Sequence, residues 1–174
     1  MTNLLLPVAG RSSRFPDMRP KWLLSFPDGL MMIEKAIDHL DLSEVDDIYV
    51  VCLQEHLDKF IDQETLQRIL AERSQKNIHV VSLDEPTSSQ SETVVRGIEK
   101  GGISGPFFIK DCDNAFSFKP VAGNQIVYSK LSDHSKINAG NKSYVSFDTL
   151  GHVTNIIEKT IVGENFCVGG YSFE

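Results

Sequence analysis

Leu4-Leu5-Leu6-Pro7-Val8-Ala9, running into Gly10-Arg11-Ser12-Ser13-Arg14-Phe15, is the stretch on which the fold turns. Its first six residues are apolar at odd and even positions alike, as in a short central strand covered by helices on both sides. The run then breaks into small and basic residues, which read as a loop. Outward from it, residues 30–40 place Met32, Ile33, Ala36, Ile37 and Leu40 on one helical face, and the acidic residues 41–47 read as the turn that ends this helix. Residues 48–53 are β-branched and apolar, a second buried strand. Helical pattern returns over 54–60 and 64–73, where Leu66, Ile69 and Leu70 share a stripe, and 78–81 supply a third strand. Polar residues from Ser88 open a further helix through Ile98, and Phe107-Phe108-Ile109-Lys110 is a fourth strand. Such alternation predicts a parallel sheet flanked by helices, with ligands at the carboxyl ends of the strands.

From Gln125 the pattern changes to strands over 125–131, 143–148, 152–158 and 166–173, with a turn at Thr149-Leu150-Gly151 and no helix. The expected architecture is therefore α/β: a mostly parallel, Rossmann-like sheet followed by a β-rich C-terminal extension. It is expected to form one domain, residues 1–174, with an α/β half over 1–118 and a β-rich half over 119–174.

With 41% hydrophobic and 24% charged residues, the 174-residue chain has the composition of a globular protein that builds a core. Its 17 basic against 24 acidic residues give a net charge of −7, the wrong sign for coating nucleic acid or an acidic membrane. No apolar run approaches membrane-spanning length, and the apolar start lacks a basic n-region, so a cytoplasmic location is expected. Cys52, Cys112 and Cys167 are too widely spaced for a zinc knuckle or a disulfide framework, and the five histidines form no metal-binding pair.

Two clusters carry chemistry. After the first strand, a glycine followed by small residues leaves amide N–H groups for an anion, and Arg14 and Lys21 add a forked and a point cation suited to phosphate. The loop has no Gly-Lys-Ser/Thr ending and a single glycine, so it is neither a P-loop nor a dinucleotide fingerprint; a solvated basic loop is the alternative. After the fourth strand, Lys110-Asp111-Cys112-Asp113-Asn114 sets carboxylates where hard oxygens hold Mg²⁺, or else forms an Asx turn.

The segments Leu6–Phe15, Pro20-Lys21-Trp22-Leu23, Thr87–Thr93, Asp113-Asn114, Tyr144–Asp148, Gly151-His152-Val153, Ile157-Glu158-Lys159 and Gly169–Phe173 resemble, in order, the motifs of sugar-1-phosphate nucleotidylyltransferases and their cytidylyltransferase relatives. The first motif is specific, and the later ones gain weight from their order. The resemblance implies a nucleotide-diphospho-sugar transferase fold. It implies nucleotidyl transfer from a nucleoside triphosphate to a sugar phosphate or related phosphorylated acceptor, with Mg²⁺ as cofactor and pyrophosphate released. It implies that Val8, Ala9, Gly10, Ser12 and Ser13 meet the nucleotide and its phosphates, and that Ser88, Ser91 and Thr93 border base and ribose. Arg14 would stabilise the departing pyrophosphate and Lys21 the attacked α-phosphate. Asp113 would be the metal aspartate with Asp111 as helper, and Glu158, Lys159 and Gly169 would serve the acceptor, although Thr160 stands where the family often has Pro. The resemblance also implies a second metal aspartate beyond residue 173, where only Glu174 follows; a fragment, a differently held metal or impaired catalysis are the readings of that departure. A nucleotide-sugar-dependent glycosyltransferase using Asp111-Cys112-Asp113, and an inactive nucleotide-binding module, are the rival functions. A glycosyltransferase does not need the Gly10 to Lys21 loop, and the inactive module is suggested by the missing aspartate.

Overall fold

The computed structural model describes residues 2–10 and 18–174. The chain divides into two compact units, Met1–Asn124 together with Ser172–Glu174, and Gln125–Tyr171.

The first unit is built on four parallel strands, β1 (Thr2–Pro7), β2 (Val45–Leu53), β3 (Asn77–Leu83) and β4 (Phe107–Lys110), in the order β3-β2-β1-β4. Leu4, Leu5 and Leu6 are fully buried. Both neighbours of β1 are in register with it, Leu4 opposite Ile48 on one side and Phe108 on the other. A strand hydrogen-bonded on both edges and covered on both faces has no solvated position, and the unbroken apolar run reflects that. Each buried leucine contributes roughly 1.5–3 kcal/mol of hydrophobic stabilisation.

The helices are α1 (Met32–Ile37), α2 (Gln54–Lys59), α3 (Gln63–Ser74) and α4 (Gln90–Gly101). The Asp62 carboxylate accepts from Thr65 N at the start of α3, and the Ser89 hydroxyl accepts from Glu92 N at the start of α4. These are the short polar side chains that satisfy otherwise orphaned amides. At Gly97 the helix comes so close to the sheet that a Cβ would lie 2.5 Å from Val51 Cγ2.

Two local expectations are corrected. The first helix is short: Met31 is extended and bridges Ser25, while Leu40 bridges Phe118, so tertiary pairing takes over both ends of the apolar stripe. The acidic residues 41–47 are not all turn, because β2 begins at Val45 and includes Asp46 and Asp47. Between Thr2 and Leu4 the register slips by a residue, so Val45 and Ile48 are both fully buried with the two half-exposed aspartates between them. A bulge of this kind breaks the period-two pattern by which strands are read from sequence.

The second unit contains β5 (Gln125–Lys130), β6 (Ser143–Phe147), β7 (Val153–Glu158) and most of β8 (Asn165–Phe173). β6 runs antiparallel to β7 and to β8, and β5 pairs with β8. Tyr144, Val145, Phe166 and Cys167 form its interior. Two single 3-10 turns, Leu131–Asp133 and Ala139–Asn141, interrupt the strands, and no α-helix occurs among its residues. The last residues of the chain return to the first unit, where Phe173 stacks on Phe107. Among the described residues no helix is long and apolar enough to cross a membrane.

Candidate functional site

The chain lays down β1, β2 and β3 in one direction and then returns to place β4 on the other side of β1. The carboxyl ends of β1 and β4 therefore flank the point where strand order reverses, the place where open α/β sheets generally bind ligands.

From β1, Val8 donates its N–H to Val51 O at 2.8 Å, and Ala9 is fully buried in a cluster with Val51, Leu53, Val81 and Leu83. These two residues turn their side chains to the core and offer a ligand only backbone. Gly10 is exposed, its backbone lies outside the left-handed region, and a Cβ there would meet nothing within 4 Å among the described atoms. No positive φ demands a glycine at this position. Ser12, Ser13 and Arg14 lie outside the described residues.

Lys21 opens a 3-10 turn, Lys21–Leu23, whose Trp22 is buried and donates its indole N–H to His56 Nδ1 at 3.3 Å. Anchored from behind in this way, Lys21 directs Nζ to Asp113 Oδ2 at 2.9 Å, 92 residues away in sequence. About half of each side chain remains exposed, so both are open to a ligand.

Asp111 accepts a hydrogen bond from the Gln90 amide at the start of α4. Gln90 had no role in the sequence reading, and neither did Lys110, which is fully buried with Nζ bonded to Asp111 O, Asn114 O and Asn114 Oδ1 and set 4.4 Å above the Phe116 ring. Burial pulls the Lys110 ammonium down to about 8. A charged residue ending an otherwise apolar strand was the available signal. The Cys112 thiol is pushed up to about 12, first by burial and only secondarily by Asp111 and Asp113, so it is inert chiefly because it is enclosed.

Near the start of α4, Ser88 gives both its amide and hydroxyl to Glu92, at 2.7 and 2.6 Å, and holds that carboxyl below the usual range. Glu92 in turn pairs with Arg96 at 2.6 Å. Thr93 is buried, its hydroxyl shared with Thr87 at 2.6 Å, so it braces this loop from inside, whereas Ser91 is exposed on the first turn. In the second unit, Glu158 and Lys159 pair with each other at 2.5 Å at the end of β7, Lys159 at φ 55°. Gly169, at φ 82°, lies within β8.

Among the described residues no three His, Cys, Asp or Glu side chains converge as a ready metal cage. Mg²⁺ does not need one, since it is commonly held by one or two carboxylates with water and substrate phosphates completing the octahedron. Asp113 and Asp111 supply hard oxygen donors at the strand end, and the neighbouring thiol is enclosed, so this donor set fits magnesium.

A profile of the MobA-like NTP transferase domain matches residues 5–121. No curated protein matches the sequence. Among solved structures, a nucleoside-diphosphate-sugar pyrophosphorylase from Vibrio cholerae RC9 has a TM-score of 0.75 over 98% of this chain and 72% of that one, at 18% identity. The inositol-1-phosphate CTP transferase from T. maritima gives 0.75 over 99% and 70%, at 17% identity. A UDP-glucose pyrophosphorylase complexed with UDP-glucose gives 0.68 over 99% and 76%, at 14% identity. At such identities the likeness is one of fold.

Proposed function

This chain belongs to the MobA-like NTP transferase domain family, and on that premise we propose that it transfers a nucleotidyl group from a nucleoside triphosphate to a phosphorylated sugar or polyol, releasing pyrophosphate. The observation that carries the reading is the meeting of Lys21 and Asp113 at the carboxyl ends of β1 and β4, at the point where strand order reverses. The named activities of the structural neighbours, a sugar pyrophosphorylase and an inositol-phosphate CTP transferase, suggest the acceptor class.

In this mechanism an acceptor phosphate oxygen forms a new bond to the α-phosphorus as the bond to the β-phosphate oxygen breaks in line. The attacking oxygen is already anionic, so no side chain need remove a proton, which accords with a site built of cations, amides and carboxylates. Lys21 moves from Asp113 to the α-phosphate, where negative charge is greatest in the transition state. Gly10, with no side chain in the way, lets phosphate oxygens reach the backbone, and Arg14 is proposed to hold the leaving pyrophosphate. Ser88, Ser91 and Gln90 are proposed to border base and ribose, with Thr93 bracing the loop. Glu158, Lys159 and Gly169 are proposed to serve the acceptor. When bound, Mg²⁺ held by Asp113 with help from Asp111 would supply charge neutralisation of the triphosphate.

The test is pyrophosphate release with each of the four nucleoside triphosphates, Mg²⁺, and a panel of sugar 1-phosphates and inositol 1-phosphate. A single productive pair is the expected result. Release from none of them, together with hexosyl transfer or hydrolysis from UDP-glucose, would replace this reading with a glycosyltransferase.

A further inference from the structure

Lys110 is a lysine with no solvent exposure at the end of a four-residue strand. An enclosed ammonium costs more than an apolar side chain of the same length unless its donors are met, and an ammonium has three. Here three acceptors surround it, and all belong to the loop that follows: Asp111 O, Asn114 O and Asn114 Oδ1. The loop is thereby closed over one nitrogen, with its backbone tied on both sides of residues 112 and 113. Cys112 adds an inward anchor, buried with its thiol near Lys110 O. Of the four loop residues, Asp113 is the exposed one, and its carboxylate meets Lys21. Lys110 itself is out of reach of any ligand.

We propose that Lys110 is a positioning residue, whose ammonium folds residues 111–114 around itself and so fixes the Asp113 carboxylate for a divalent cation and against Lys21. The metal half of this inference rests on the transferase reading above. Groups that orient a metal ligand without touching the metal are commonly worth 10- to 100-fold in affinity or rate.

The test compares Lys110→Met, which keeps the apolar stem and removes the ammonium, with Asn114→Ala and the double variant, all in the full chain. Lys110→Met is expected to melt cooperatively and to keep the KM for nucleoside triphosphate within about threefold. Its kcat should fall about 100-fold, and its affinity for Mn²⁺, read by electron paramagnetic resonance without nucleotide, about tenfold. Asn114→Ala should move both readouts the same way by less, and the double variant should be no worse than Lys110→Met, because the Asn114 side chain acts through its contact with the Lys110 ammonium. A folded Lys110→Met with parental kcat and Mn²⁺ affinity overturns the proposal. If that variant does not fold, Asn114→Ala decides by the same criterion. If the parent protein releases no pyrophosphate, the transferase reading fails by itself, and crystal structures of the folded variants decide the clamp: an intact Lys21–Asp113 contact overturns it, and a displaced Asp113 supports it.

Discussion

β1 and β7 are both six residues long, yet four residues of β1 are buried and none of β7 is. β1 is paired on both edges, and the elements around it enclose both faces. β7 pairs with β6, and of its residues only Ile157 is even half-buried. The difference bears on chemistry. Gly10 and the loop 111–114 leave strands that are seated in the core, so the groups proposed to act on the transferring phosphoryl are held to a fixed geometry. Glu158 and Lys159 leave a solvated strand where replacement disturbs little packing. In the proposed mechanism, precision is concentrated where charge would develop, and the residues proposed to recognise the acceptor are open to change.

The strongest way to break this contrast is Lys21→Ala. Removing a cation aligned with transition-state charge should cost about 2.7–4 kcal/mol in kcat/KM, mostly in kcat, while nucleotide binding by calorimetry changes far less. Lys159→Ala should instead raise the acceptor KM and leave kcat nearly unaltered. Equal kcat losses in both would erase the distinction. Asp113→Asn comes next: near-isosteric but uncharged, it should lower Mg²⁺-dependent turnover about 100-fold with the melting temperature retained. Asp111→Asn should be milder, since an amide still bonds to Gln90. A reversed order would move the metal position by two residues.

Packing offers a sharper comparison at lower stakes. Gly97→Ala puts a methyl 2.5 Å from Val51 Cγ2 and should destabilise by about 1–3 kcal/mol in urea titration. Gly163→Ala, where a Cβ meets nothing within 4 Å, should stay within about 0.5 kcal/mol. Equal effects would mean that the first unit is packed no more tightly than the second.

A pH scan probes the anchor behind Lys21. His56 is buried, and desolvation holds its pKa below the ordinary histidine value of 6.5. The folded state therefore favours the neutral ring, which accepts from Trp22. This contribution is fully present above pH 6.5 and is lost as pH falls from there through the lowered folded value. The melting temperature should decline over that range, with Trp22 fluorescence changing in step, and His56→Leu should remove this component of the slope. A modest gain is expected from Lys159→Gly: relieving a left-handed φ of 55° should stabilise by about 1 kcal/mol.

Sequence by itself determined the order of strands and helices in the first unit, because a strand covered on both faces must be apolar throughout and a helix on a sheet must carry an apolar stripe. It also determined which loops carry cations, small residues and carboxylates, since those residue types have few uses directly after a buried strand. It could not place the start of β2, where a bulge lets two aspartates sit inside the strand, nor the ends of the first helix, whose flanking residues are drawn into bridges with Ser25 and Phe118. Only the tertiary structure joined Lys21 to Asp113 and Gln90 to Asp111, and only it showed Lys110 turned inward beneath the acidic loop. The physical reason is range. Periodicity and turn chemistry act between residues a few positions apart and leave their mark in the local sequence. A hydrogen bond spanning 92 residues depends on which strands become neighbours, and no local pattern records that.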